Sequence, residues 1–140
     1  MDCTLILYAA RKTSLCERAL AKSLQPLDLR IRKTVFSTAA KGLGKQLRLA
    51  FSRDDICFVV GGMSFSDDRD IRLILAGAAA SSQPELVRRL KNPSGEDGLL
   101  LRCGRQHLIL LPDEPEAIAE LLKNTLGKYL STTNKEGILI

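Results

Sequence analysis

Between Phe58 and Ile71 the chain reads FVVGGMSFSDDRDI. An apolar run stops at paired glycines, Gly61 and Gly62, and three carboxylates follow at Asp67, Asp68 and Asp70. A double glycine does not suit a strand interior. Aspartates suit a helix N-terminus whether or not a ligand is present. The stretch is therefore either a ligand-binding loop at the end of a strand or an ordinary turn followed by a helix cap. On the ligand reading, Ser64 and Ser66 lie in the same loop, and Asp68 faces an open cleft near the start of the next helix.

Other residue types with chemical potential lead less far. The four cysteines, Cys3, Cys16, Cys57 and Cys103, form no CxxC pair. They read as reduced thiols, with Cys3, Cys57 and Cys103 in or beside apolar runs. A zinc site needs close ligand pairs, and the single histidine, His107, supplies none, so no zinc is expected. His107 opens the strand HLILL and reads as structural. The fragment GLGK has only a superficial likeness to a phosphate loop. A Walker loop needs glycine at position 39 and Ser or Thr at position 46, where Ala39 and Gln46 stand.

The formal net charge is +5, and 12 of the 21 basic residues fall in the first 70 positions, with acids interspersed. Aromatics are only 4%, too few for base-stacking platforms, so nucleic acid is not expected as a partner. Mild attraction for a small phosphorylated ligand fits the same charge. No apolar run approaches the roughly 18 residues of a membrane span, and no basic residue precedes the apolar N-terminal stretch. A single cytoplasmic domain over 1–140 is expected, with a tail from about 131 that is polar until Ile138, Leu139 and Ile140.

The elements that would position these residues alternate. Thr4–Ala10 is an apolar run of strand length, and SLCE (Ser14–Glu17) has the form of a capping box opening a helix that ends near Pro26. Leu29, Ile31 and Val35 alternate with Arg30, Arg32 and Thr34, as in an edge strand. A helix follows with Leu43, Leu47, Ala50 and Phe51 on one stripe. Asp55–Val60 reads as a strand buried on both faces, and DIRLILAGAAA as a helix. SQPE (Ser82–Glu85) has the form of a second capping box, opening a short helix ELVRRL. GLLLRCGRQHLILLP is a hairpin signal. Asp113–Glu116 can cap a final, longest helix with Ile118, Leu121, Leu122, Thr125, Leu126 and Tyr129 on its core stripe. This order predicts a three-layer α/β/α sandwich on a mostly parallel mixed sheet, with Val59, Val60, Ile109 and Leu110 on inner strands. Ligands of such sheets bind outside the carboxyl ends of the strands, where the glycine loop lies.

Three stretches together resemble the molybdopterin-binding domain family, which includes MoaB and MogA, the gephyrin-type domains and the N-terminal domain of CinA. They are DICFVVGGMSFSDDRD, NPSGEDG (Asn92–Gly98) and LILLPDEPEAIAELL, in the family's order from Asp55 to about Leu122. The resemblance implies a MogA/MoaB-like fold in which Gly61 and Gly62 bring backbone N–H groups to a ligand phosphate. Asp68, as the family's loop aspartate, and Asp70 would hold Mg²⁺ shared with substrate phosphates, with Asp68 the catalytic candidate. Ser64, Ser66, Asn92, Gly95 and Pro112 complete the implied ligand-binding set. The ligand would be molybdopterin or a nucleotide. The activity in the family is adenylyl transfer to molybdopterin or, in the CinA branch, hydrolysis of a nucleotide pyrophosphate.

The departures from that pattern weigh against efficient catalysis. Ser64 and Asp113 stand where the family has glycines, and Phe36-Ser37-Thr38 where it often has an aspartate. The first strand leads into Ala9-Ala10-Arg11-Lys12 rather than a loop with Gly and Asn. Acids at a helix N-terminus oppose a phosphate there. The expectation is thus a divergent domain binding a pterin or nucleotide with weak or no catalysis. The alternatives are a working Mg²⁺-dependent adenylyltransferase or pyrophosphatase, and a non-catalytic α/β module for protein interaction. A homo-oligomer is expected from the relatives, the basic first half and the apolar last three residues, with a trimer slightly favoured.

Overall fold

The computed structural model describes residues 1–62 and 84–135. Among them are strands β1 (Asp2–Tyr8), β2 (Arg30–Ser37), β3 (Ile56–Gly61), β4 (Leu86–Leu90), β5 (Gly98–Cys103) and β6 (Gln106–Leu111). The helices are α1 (Thr13–Leu24), α2 (Ala40–Phe51), α3 (Pro115–Lys123) and α4 (Thr125–Lys135), with a 3₁₀ turn over Gln25–Leu27. The helix expected over DIRLILAGAAA lies outside the described residues.

The strands form one sheet in the order β2-β1-β3-β6-β5-β4. β2, β1, β3 and β6 are mutually parallel, whereas β5 runs antiparallel to both β6 and β4. Alternate side chains enter different cores, as the period of two requires. Leu5, Leu7, Phe58, Val60 and Ile109 pack with Leu20, Ile118 and Leu122 on one face. Ile6, Tyr8, Val59 and Leu110 pack with Leu43 and Ala50 on the other. Helices therefore cover both faces of a mixed sheet, and the apolar runs of β1, β3 and β6 are its buried centre, as expected. The alternating β2 is an edge strand, again as the sequence indicates. No helix among the described residues is long and apolar enough to cross a membrane.

Three local expectations are overturned. ELVRRL is not a helix: Leu86–Leu90 is the outer strand β4, with Leu86 paired to Arg102 and Leu90 to Gly98. Pro93 disfavours helical backbone at Asn92, and as a strand the segment lets Leu86 and Leu90 pack on the helix-covered core. Gly98 permits this, because a Cβ there would lie 2.6 Å from the Leu110 carbonyl oxygen. SLCE does not cap α1. The helix starts two residues earlier than a Ser14 cap implies, at Thr13, behind Lys12 in a left-handed conformation and with no side-chain cap. The final helix is two: it breaks at Asn124 (φ −99°, ψ −114°). Gly127 marks the break, since a Cβ there would overlap the carbonyl oxygen of Leu122. The second of the two, α4, runs to Lys135.

Candidate ligand-binding end of the sheet

The parallel strands fix one common end. Tyr8 pairs with both Ser37 and Gly61, and Val60 pairs with Leu111. The chain after β1, the chain after β2, Gly62 and Pro112 therefore leave the sheet on the same side. The β4–β5 turn lies there as well, because Leu90 pairs with Gly98 and Leu99 with Leu110. Its loop sits one to two strands to the side of β6, a lateral offset of about 5–10 Å. Of the candidate ligand contacts, Gly61, Gly62, Asn92, Gly95 and Pro112 are thus gathered at the carboxyl end. Ser64, Ser66, Asp68 and Asp70 lie outside the described residues.

Each of the gathered residues has a local reason for its identity. Gly61 has φ 101°, and a Cβ on it would meet the Tyr8 carbonyl oxygen at 2.5 Å and Ala10 Cβ at 2.9 Å. Only glycine lets the end of β3 lie this close to the chain leaving β1. Gly62 follows at φ 79°, so the backbone turns away from the sheet through two left-handed residues. Both glycines and Pro112 are buried.

Asn92 builds its own loop. Its Oδ1 accepts the Ser94 N–H at 3.2 Å, and its Nδ2 donates to the Glu96 carbonyl at 3.1 Å. Its backbone N–H donates to Asp97 Oδ1 at 2.8 Å. The side chain thus holds the hairpin turn in shape. Gly95 has ordinary space around it, with Asn92 Nδ2 3.5 Å from a built Cβ, so packing does not demand glycine there.

Asp113 departs from the cap that the sequence suggests. The N-cap of α3 is Glu114, in extended conformation, and no side chain caps the helix. The Asp113 carboxylate turns instead to the chain after β1. Its Oδ2 accepts the Arg11 backbone N–H at 2.8 Å and Arg11 Nε at 3.2 Å, and its Oδ1 accepts Nη2 at 3.2 Å. Burial alone would raise the pKa of this carboxyl, but the Arg11 hydrogen bonds and charge outweigh it and hold the pKa below its ordinary value. Alongside, Lys12 Nζ donates to Glu114 Oε2 at 3.0 Å. Two cations after β1 thus meet two carboxylates after β6, with the end of β3 between them in the sheet order.

Arg11 and Lys12 are the site residues that motif reading undervalues. Their signal is complementary charge: consecutive bases after one strand and consecutive acids after another. The loop that carries them is conformationally strained as well. Ala9 (φ 48°) and Lys12 (φ 52°) both take left-handed conformations without being glycine. The Ala9 N–H donates to the Ser37 carbonyl at 2.8 Å, which ties the loop to β2.

A groove of ≈ 980 Å³ runs between α1, α3 and α4, lined by Ala19, Leu27, Ala119, Leu122 and Gly127 among others. None of the candidate ligand contacts lines it, so it is a separate feature of the helical face. Among the described residues no group of three or more His, Cys, Asp or Glu could hold a metal ion. Asp113 and Glu114 are engaged by Arg11 and Lys12, and the residues expected to hold Mg²⁺, Asp68 and Asp70, lie outside the described residues.

No protein-family model matches the sequence, and a search of curated proteins likewise finds no match. Solved structures do. A CinA protein of unknown function from Thermoplasma acidophilum superposes with a TM-score of 0.71 at 16% identity, over 92% of this chain and 97% of that one. The molybdopterin biosynthesis enzyme MoaB from Thermus thermophilus gives 0.67 at 17% identity, over 96% of each chain. The molybdopterin biosynthesis Mog protein from Mycobacterium ulcerans gives 0.66 at 14% identity, over 94% of this chain and 99% of that one. The described chain thus has the α/β fold of the MoaB, MogA and CinA-type domains, as the three motifs led us to expect, in a strongly divergent sequence.

Proposed function

We propose that this protein is a divergent molybdopterin-binding-like domain that holds the phosphate end of a pterin or nucleotide at the carboxyl end of its sheet, with weak or no catalysis. The observation that carries this reading is the convergence of Gly61, Gly62, Pro112 and the 92–97 turn at one end of a sheet whose solved neighbours include MoaB and Mog proteins. Backbone N–H groups leaving β3 through left-handed glycines are suited to an anion. Ser64 and Ser66 would add hydroxyl donors, and Asp68 and Asp70 would share Mg²⁺ with the ligand phosphates. The reading of weak catalysis is supported by Asp113, which occupies a family glycine position and is locked to Arg11.

Isothermal titration with molybdopterin, ATP and ADP-ribose, with and without Mg²⁺, tests it. Binding of at least one of them without turnover is expected. Asp68→Asn should weaken any Mg²⁺-dependent nucleotide binding and leave thermal stability nearly unchanged, since Asn caps a helix about as well as Asp. Binding of none of the three ligands would leave a shared fold without inherited chemistry. Light scattering at micromolar concentration should give the mass of a homo-oligomer, with a trimer favoured; a monomer mass would overturn that part.

A further inference from the structure

Taken over the whole chain the acids are interspersed among the bases, but one stretch is an exception that the fold turns into a surface. From Arg30 to Arg53 there are seven bases and no acid. This stretch spans β2, one of the two terminal strands, α2 beside it and the two residues that follow. Arg30 is paired to Asp2 and Arg32 to Asp54. Lys33, Lys41, Lys45, Arg48 and Arg53 make no ion pair with any described residue.

The outer edge of β2 is open among the described residues. A terminal strand of eight residues presents alternate backbone N–H and C=O groups outward, ready to pair with another extended chain. Its two faces differ. On the α2 face, a socket of ≈ 110 Å³ lies between β2 and α2, lined by Arg32, Lys33, Gln46, Leu49 and Arg53. That is room for a carboxylate and little more. On the opposite face Phe36 stands 67% exposed next to the edge. Facing Phe36, an added strand would place an apolar side chain; facing the socket, it would place an acid. Successive residues of a strand point to opposite faces, so both demands are met by a sequence alternating acidic and apolar residues.

A second copy of β2 does not meet these demands. It carries no acid to enter the socket, and in parallel register it would set Arg30, Arg32 and Lys33 against the same bases, like charges that destabilise a strand pair.

We propose that β2 is a docking edge for an extended acidic segment of a partner protein, which adds as a strand beside β2 and seats a carboxylate in the socket between Arg32, Lys33 and Arg53. The probe is a fluorescein-labelled eight-residue peptide alternating Glu and Val, titrated into the full chain at low salt and followed by anisotropy. Binding is expected to weaken at least 10-fold in the Lys33→Glu/Arg53→Glu variant and to weaken with added salt. Amide exchange over 30–37 should slow on binding. Two altered peptides, one with Lys for Glu and one N-methylated at alternate backbone nitrogens, should fail to bind the unaltered protein, whatever the variant does to folding. Absence of peptide binding overturns the proposal. So does equal binding of the N-methylated peptide, or of a heparin fragment that competes for the same bases and leaves the β2 amides unprotected.

Discussion

Arg11 and Asp113 are joined by three hydrogen bonds of 2.8–3.2 Å, one from the Arg11 backbone and two from its guanidinium. The pair fastens the exit of β1 to the exit of β6, with β3 lying between them in the sheet. On the proposed reading, Asp113→Gly would remove a carboxylate that opposes an anion and place a glycine before α3, whose first N–H groups no side chain caps. Affinity for AMP or pyrophosphate should rise about tenfold by the electrostatic change alone, a gain of roughly 1.4 kcal/mol. Asp113→Asn should give part of that gain. Titration calorimetry of the two variants beside the unaltered protein checks the order; equal affinities in all three would show that Asp113 does not face the ligand.

Gly61 is fixed by packing rather than by any ligand. A methyl group there would meet a backbone oxygen and Ala10 together, at a φ of 101° that L-residues rarely adopt. Gly61→Ala should therefore cost more than about 2 kcal/mol in urea unfolding, from overpacking and backbone strain combined. A loss below about 0.5 kcal/mol would mean that the β1 exit loop yields freely.

The sheet was largely legible in the sequence because its central strands are buried on both faces. Continuous apolar runs in β1, β3 and β6 have no other comfortable place, and the alternation in β2 could only be an edge. β4 was misread because a short outer strand leaves a weak pattern: only Leu86 and Leu90 need burial, and the intervening arginines suit a helix surface equally well. The S-x-x-E form at Ser14–Glu17 misled for a different reason. Capping depends on the backbone conformation of the residue before the helix, and here the left-handed Lys12 supplies the turn without a side-chain cap. At the candidate site, glycines forced by close contacts were visible as letters. The Arg11–Asp113 pair was not, because it joins residues 102 positions apart through a strand order that no local pattern encodes.

The thiols should divide sharply in reactivity. Cys3, Cys16 and Cys57 are buried, and burial pushes their pKa values up, to about 12 for Cys3 and about 11 for Cys16, with the charges of Asp54 and Asp113 respectively adding to the effect. Cys103 alone is partly exposed. Ellman's reagent at pH 8 should modify one thiol in the folded protein and four after denaturation. Rapid modification of two or more in the folded state would contradict the packing of the β1 and β3 cysteines.

The last prediction rests on the single histidine. His107 is fully buried, with Nδ1 3.0 Å from the Arg105 carbonyl and Nε2 2.9 Å from the Tyr129 hydroxyl. A carbonyl can only accept, so Nδ1 carries the proton and Nε2 accepts from Tyr129. Adding a second proton would bury a cation, with Arg102 on the neighbouring strand and Arg88 over the Tyr129 ring as further positive charges and Asp55 as the one opposing acid. Burial is the main cause that lowers the folded-state pKa below the ordinary 6.5. The unfolded chain then binds the proton first. Stability is full above pH 6.5 and falls as the pH drops from there to the folded-state value, with a limiting slope of about 1.4 kcal/mol per pH unit. Urea unfolding between pH 8 and 5 should show that decline, and His107→Gln, which leaves no histidine in the chain, should abolish it within this window. Tyr129→Phe should cost about 1–2 kcal/mol at pH 8 by leaving Nε2 without its donor. A pH profile unchanged by His107→Gln would place the titrating group elsewhere and refute the neutral, buried imidazole.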